Sequence, residues 1–574
     1  MPPHRLLVLL CFVSAAWAQP VETADTVLYN GKIVTLWTER PQVQAVAIRG
    51  GRFLAAGGDA EIRRLAGPAT RQIDLRGRVV VPGLIDSHVH PIGAALSEQE
   101  GEIPVVGSIA DLQQYIRKLA RATPPDKLIF VPKIYGTRMK ERRYPTRQEL
   151  DAAGGPDRLV VADNGYAAVL STAALKRAGI GRDTPPPSNG KIIRDASGEP
   201  TGLILGAPQL LSRFRSDRPP THQDRLWALR TMQQRYHQAG LTSIIDRGQG
   251  PEGLRAYQEL WRKGELTIRA NITVTTPGAG PLEQVREQIR RLPVATGFGD
   301  DRLRIGALKI TLDGGILIGT AYLREPYGEH TEVYGYQDPD YRGVLASPRE
   351  NVFEIARLAN QLGWQMTAHT TGGGSTDLLL EAYEAADREQ SIGDRRFTLT
   401  HANFPNPGAI ERARRLGVVL DMQPAWLHLD GPALAKVLGP ARMRDFHPYR
   451  SLFDAGLIVA GGSDHMIKLD SRRAINPFHP FFGMWMAITR QLVDGSIANP
   501  EQRISREQAL RMWTLNAAYL SFDEKRKGSI EPGKLADLVV LTKDFLTCPE
   551  AEIRDLEAQA TMVDGQFVYT REPM

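Results

Sequence analysis

Between residues 78 and 464 the chain repeats one pattern: a short apolar run, then a stretch of helical period, then another apolar run. Eight such runs occur. They are Arg78-Val-Val-Val-Pro-Gly-Leu-Ile-Asp-Ser-His-Val-His, Leu241-Thr-Ser-Ile-Ile-Asp, Ile268-Arg-Ala-Asn-Ile-Thr-Val and Leu308-Lys-Ile-Thr-Leu-Asp, followed by Trp364-Gln-Met-Thr-Ala-His, Phe397-Thr-Leu-Thr-His, Val418-Val-Leu-Asp-Met-Gln and Leu457-Ile-Val-Ala-Gly-Gly-Ser-Asp. After the fourth run, Val352, Ile355, Ala359 and Leu362 fall on one helical face by their three- and four-residue spacing. Eight strands alternating with helices predict an α/β fold, a (β/α)8 TIM barrel.

The ends of the chain read differently. Residues 25–80 hold short alternating runs broken by Asn30-Gly31 and Gly50-Gly51, dipeptides that signal hairpins. Residues 528–570 repeat that texture, with Asp537-Leu-Val-Val-Leu and Gln566-Phe-Val-Tyr as strands. We therefore expect one β-sandwich assembled from both termini, 19–80 and 528–574, around a barrel at 81–527. About 150 residues separate the first two barrel runs, far more than a usual connection. They include Leu128-Ile-Phe-Val, Leu159-Val-Val-Ala and a Pro/Gly-rich hairpin-like stretch at 185–202, and predict an inserted subdomain over the barrel mouth, about 105–220.

Residues 1–18 form a separate unit: His4 and Arg5, an apolar run from Leu6 to Trp17, then Ala16-Trp17-Ala18 with small residues where a signal peptidase reads. The run is shorter than the roughly 20 residues a membrane helix needs. It predicts a signal peptide, a mature chain from Gln19, and a secreted or periplasmic enzyme without a membrane anchor. Removal of Cys11 leaves Cys548 alone, so no internal disulfide holds the fold. The formal charge of +6 is spread without a lysine-rich run, so nothing in it points to a nucleic-acid protein or polybasic membrane binder.

His88 and His90 close the first run. Residues i and i+2 of a strand share a face, so both imidazoles can reach one metal ion. His-x-His alone is weak, since 12 histidines in 574 residues would produce one by chance in about one such sequence in four. The other candidates change the odds. His369 ends the fifth run, His401 the sixth and Asp464 the eighth, while Lys309 lies in the fourth. Functional residues of this barrel type gather at the C-terminal ends of strands. Gln423 and Trp426 follow the seventh run and are candidates for the pocket wall, with packing an equal reading for Trp426. Asp246 could orient a ligand histidine or cap its own loop. His428, His447, His465 and His479 carry no motif and read as surface or packing residues. Gly372-Gly-Gly lacks a P-loop lysine and is discounted as a phosphate loop.

Val81-Pro-Gly-Leu-Ile-Asp-Ser-His-Val-His, Leu308-Lys-Ile-Thr-Leu-Asp-Gly, Thr367-Ala-His, Leu399-Thr-His, Gly462-Ser-Asp and the C-terminal Gly528-Ser-Ile-Glu-Pro-Gly-Lys-Leu-Ala-Asp-Leu-Val-Val-Leu resemble the amidohydrolase superfamily, within it the family 3 branch that includes N-substituted formamide deformylases. The resemblance covers nearly all of the mature chain. It implies that His88 and His90 bind a first divalent metal ion, typically Zn2+, and that His369 and His401 bind a second. It further implies that Lys309, carboxylated on its amine, bridges the two ions and that Asp464 is both ligand and general base. Imidazole suits zinc, and a lysine carbamate is an anionic oxygen donor where a protonated lysine would repel the ion. Two departures stand out. The family commonly has Gly-Asp shortly after its fifth-strand histidine, where this chain has His369-Thr-Thr-Gly-Gly-Gly-Ser. It often has Asp-Gly-His in the inserted domain, where Asp163-Asn164-Gly165-Tyr166 stands here, so Tyr166 takes the substrate-facing position.

The expected activity is hydrolysis of a non-peptide C–N bond, amide or N-acyl, in a small molecule. Three alternatives remain at this point: an esterase or lactonase on the same site, an isomerase, or a non-catalytic metal-binding barrel that serves as a binding protein. A homo-oligomer is compatible with the sequence.

Overall fold

The computed structural model describes residues 22–574 apart from 100, 102, 104, 188–189, 207–213, 215–218 and 337. The expected signal segment, 1–18, lies outside the described residues. Eight strands form one sheet in chain order: Leu84–Val89, Leu241–Gln249, Arg269–Thr275, Leu303–Thr311, Met366–Thr370, Thr398–His401, Val419–Met422 and Val459–Gly461. Every neighbouring pair is parallel. A parallel bridge from Val89 to His465, and a hydrogen bond from Asp464 N to the His88 carbonyl at 2.8 Å, join the last strand to the first. That closure makes the sheet a TIM barrel and carries Asp464 to the end of the strand that holds the two leading histidines.

Helices return the chain between strands by burying one apolar stripe each. In Arg349–Gln361 the buried face includes Val352, Ile355, Ala356 and Ala359. Leu362, expected on that face, is instead the C-cap and 42% exposed. The helix stops one residue earlier than the spacing suggests, because Gly363 adopts the left-handed φ of 80°.

The first apolar run divides at Gly83. Val79–Pro82 belongs to the sandwich, and Leu84–Val89 opens the barrel. A Cβ on Gly83 would lie 2.4 Å from Thr242 Oγ1 and 2.8 Å from the Asp537 Cβ, so only glycine passes there.

The sandwich consists of a four-stranded and a six-stranded sheet. Leu28, Val46 and Ile73 from the N-terminal part share one core with Leu538, Val540 and Met562 from the C-terminal part. Gly50-Gly51 turns the antiparallel pair Ala45–Arg49 and Arg52–Gly57. Asn30-Gly31 makes no hairpin. Ala24–Tyr29 pairs within one sheet and Lys32–Val34 within the other, so this turn passes the chain across the sandwich. Asn30 takes a φ of 56°, and a Cβ on Gly31 would sit 2.4 Å from Leu75 Cδ1. The same dipeptide serves either purpose, and burial of both Leu28 and Ile33 in the inter-sheet core decides it.

Between the first two barrel strands lies a five-stranded sheet ordered Lys191–Arg194, Pro200–Leu205, Ala167–Leu170, Val160–Asp163, Ile129–Pro132. Arg194 pairs with Pro200 within the stretch read as hairpin-like, and the antiparallel ladder runs on to Lys191 and Leu205. Among the described residues no helix is long and apolar enough to cross a membrane.

Candidate metal centre

His88, His90 and Asp464 present ligand atoms within 4.8 Å of one another. His88 Nε2 lies 3.3 Å and His90 Nε2 3.4 Å from the same oxygen, Asp464 Oδ1. Donors placed tetrahedrally at zinc distances stand about 3.4 Å apart, so the spacing is that of ligands around one ion. His88 Nε2 is buried and has no hydrogen-bond partner, which is costly unless something else takes its lone pair. The donor set fits a divalent transition metal ion.

The remaining histidines adjoin this group through their rings. The His401 ring stacks on His88 at 4.9 Å, and the His369 ring meets His401 edge-on at 4.6 Å. Their ligand atoms do not fall within the tight cluster of three. Each of the three inner imidazoles is held at Nδ1: His88 to Asp421 Oδ2 at 3.1 Å, His369 to Asp313 Oδ1 at 3.0 Å, and His401 to Gln423 Oε1 at 2.7 Å. Each acceptor lacks a proton of its own to give, so Nδ1–H donates and Nε2 carries the free lone pair. Burial drives His88 and His401 well below the ordinary histidine pKa, with neighbouring cationic groups adding to it. The neutral form that binds metal is therefore the resting form.

Lys309 is 8% exposed, and burial lowers its pKa to about 8 against the pull of Asp464. A depressed lysine pKa increases the neutral amine fraction that carboxylation requires.

The backbone is bent at these positions. His401 and Ala402 have φ of 73° and 41°, and Asp464 has φ of 54°, a region L-residues enter at a cost. The Asp464 segment is held from two sides. Asn476 Nδ2 donates to the Asp464 carbonyl at 2.8 Å, and His465 bonds Tyr236 OH and the Lys468 carbonyl. Arg138 of the inserted domain reaches the same loop, donating to the Ile475 carbonyl at 2.6 Å and to Asn476 Oδ1 at 3.3 Å, while forking onto Asp430.

Gln423 and Trp426, expected at a pocket wall, lie fully buried behind His401. Gln423 fixes its Nδ1, and the Trp426 indole stacks on its ring at 4.5 Å. Asp246 accepts from Tyr257 OH, Gln249 Nε2 and Gly248 N, so its bonds go to its own loop and the following helix. Tyr166 lines a cavity between the inserted sheet and the segment after the fourth strand, and no histidine lines that cavity among the described residues. His428, His447, His465 and His479 are all buried packing residues, none at the surface. In the glycine run, a Cβ on Gly372 would sit 1.9 Å from the Tyr322 carbonyl oxygen, so the run serves close packing.

Asp313, Asp421, Arg247 and Asn476 were not legible as site residues. Asp421 and Asp313 sit in the seventh run and at the end of the fourth, and that strand-end position was the available signal. Asp313 also accepts from Thr371 N, Gly372 N and Ser375 Oγ. It thereby orders the loop where the family's aspartate is missing.

A closed barrel with a strand-end cluster of imidazoles and a carboxylate defines a metal-dependent hydrolase. Residues 71–569 match the Amidohydrolase family, and the chain belongs to that family. It is 29% identical over 558 residues to an N-substituted formamide deformylase of Arthrobacter pascens, covering 95% of this chain and 98% of that one. A metal-dependent hydrolase from Pyrococcus horikoshii OT3 superposes with a TM-score of 0.66 at 24% identity, over 92% of this chain and 99% of that one. Atrazine chlorohydrolase TrzN from Arthrobacter aurescens TC1, complexed with zinc, shares the fold with a TM-score of 0.52 at 16% identity, covering 95% of each chain. The protein is a metal-dependent amidohydrolase, an enzyme acting on carbon–nitrogen bonds of small molecules.

Proposed function

We propose that the enzyme hydrolyses an amide or N-acyl bond of a small molecule with Asp464 as general base. The observation that carries this reading is Asp464 Oδ1 shared at 3.3 and 3.4 Å between two imidazole nitrogens. A divalent ion held by His88, His90 and Asp464, with His369, His401 and carboxylated Lys309 around a second, would lower the pKa of water to about 7 and polarise the carbonyl. Asp464 accepts the proton of the attacking water at a carboxylate oxygen. It returns that proton to the departing nitrogen, which otherwise leaves as a poor anion. Asp421, Asp313 and Gln423 keep the imidazoles in one tautomer, so no side chain need reorient during turnover. Tyr166, in the inserted domain, faces the substrate's remainder.

Zinc as the native ion and the carbamate bridge belong to this reading, as does export, which rests on the apolar segment and Ala16-Trp17-Ala18. A panel of paired amides and esters tests the chemistry: turnover of esters with no amide turnover overturns it. Cell fractionation tests export, and full-length protein found only in the cytosol overturns that part.

A further inference from the structure

A cavity of about 490 Å3 lies between the inserted sheet and the segment that follows the fourth barrel strand. Tyr166 and Leu205 form its inserted-domain wall, and Tyr336, Tyr341, Val344 and Leu345 form much of the other. Val344 and Leu345 are each 38% exposed, and both line this cavity. Lys191, the one cation among the described residues of the wall, stands 3.8 Å from Asp338 Oδ2 and 5.7 Å over the Tyr341 ring. Apart from Thr320 and Gly190, the remaining described side chains of the wall are aliphatic or aromatic, and the size is typical for small-molecule sites.

The cavity is tied to the reaction centre. Leu345 bridges Asp313, and Ala346 N donates to the Leu312 carbonyl at 2.9 Å. Asp313 is the residue that holds His369. Leu312 stands three residues beyond Lys309, roughly 10 Å at strand rise. The cavity wall is thus linked to His369 through two contacts, Leu345 to Asp313 and Asp313 to His369.

We propose, resting on the hydrolase reading above, that this cavity binds a bulky, uncharged apolar group of the substrate, aromatic or branched. Leu345 and Val344 would then set the preference for that group. The preferred substrates are amides that carry such a substituent, on the acyl or the nitrogen side, rather than small polar amides.

The test uses amides and esters in matched pairs, with a methyl or a naphthylmethyl group on either side of the scissile bond. We expect wild-type kcat/KM to favour the naphthyl member by at least about 10-fold, the scale of hydrophobic-pocket discrimination. Leu345→Asp should cut that ratio by a similar factor, and the milder Val344→Thr should cut it partly. Calorimetry with 2-naphthylmethanol reads the cavity without turnover, with wild type binding at least about 10-fold tighter than either variant. A ratio unchanged in both variants, a wild-type preference for the methyl member, or equal binding of the naphthyl probe overturns the proposal. Ester-only turnover with the naphthyl preference intact overturns the amide reading and leaves the cavity assignment standing.

Discussion

His88 Nδ1 and Arg247 Nη2 both lie 3.1 Å from one oxygen of Asp421, a carboxylate with no exposed surface. Burial pushes the Asp421 pKa up, and Arg247 draws it back. The carboxylate in turn fixes the His88 tautomer. Asp421→Asn should weaken metal affinity by about 10–100-fold, the usual cost of losing a histidine's outer partner. Chelator competition measures it, and unchanged affinity would remove Asp421 from the centre.

Asp464→Asn keeps the shape of the carboxylate but cannot accept a proton. Turnover should fall by about 10²–10⁴-fold. Metal analysis alongside kcat separates lost proton transfer from lost metal. Near-full turnover with metal bound would show that the shuttle is elsewhere.

Arg138 and Asn476 position Asp464 from the inserted domain and the loop after the eighth strand. Asn476→Ala should lower kcat by at least about 10-fold with KM little changed, since misplacement of a reacting group by 1 Å can cost 10²-fold. Arg138→Lys loses the fork onto Asp430 and should show the same split to a smaller degree. A rise in KM with kcat intact would assign both to substrate binding.

Lys309→Ala should abolish most activity and at least one equivalent of metal. Added short carboxylates should restore part of each by supplying the missing anion. Reconstitution of the wild-type apoenzyme should depend on bicarbonate. Metal content unchanged from the parent in Lys309→Ala would remove Lys309 from the ligand set and with it the bridge.

Arg269 forks onto Asp537 at 2.6 and 2.9 Å, joining the third barrel strand to the C-terminal sandwich, with both side chains buried. Burial raises the Asp537 pKa, and Arg269 more than reverses this, leaving it below the ordinary value. Arg269→Ala should cost about 3–5 kcal/mol, the penalty of an orphaned buried charge. The depressed carboxylate contributes its stability above the unfolded value near pH ~4 and loses it as pH falls through the folded value. The gap between parent and variant in urea denaturation should therefore narrow as pH falls below about 4 and close only below the depressed folded value. A constant gap would place the effect in packing.

Periodicity determined the barrel from sequence alone, because each strand–helix unit must bury its own apolar stripe wherever it sits. That His88, His90, Lys309, His369, His401 and Asp464 stand on barrel strands or at their ends was readable for a related reason: in such a barrel, strand-end residues have one place to go. The sandwich was likewise readable from the texture of the two ends. Only the tertiary structure decided which turns stay within a sheet, as Asn30-Gly31 shows, since the dipeptide's φ permits both outcomes and the inter-sheet core chooses. It also decided where the first run breaks, through the absence of room for a Cβ at Gly83. The partners of the histidines were hidden because Asp313, Asp421 and Gln423 are ordinary strand-end residues in sequence. They become acceptors only when barrel closure brings neighbouring strands within hydrogen-bond reach. Tyr166 was singled out by position, but its cavity is made by chain from beyond the fourth strand, more than 150 residues later. No local pattern encodes that meeting, because it depends on how the inserted sheet settles over the barrel.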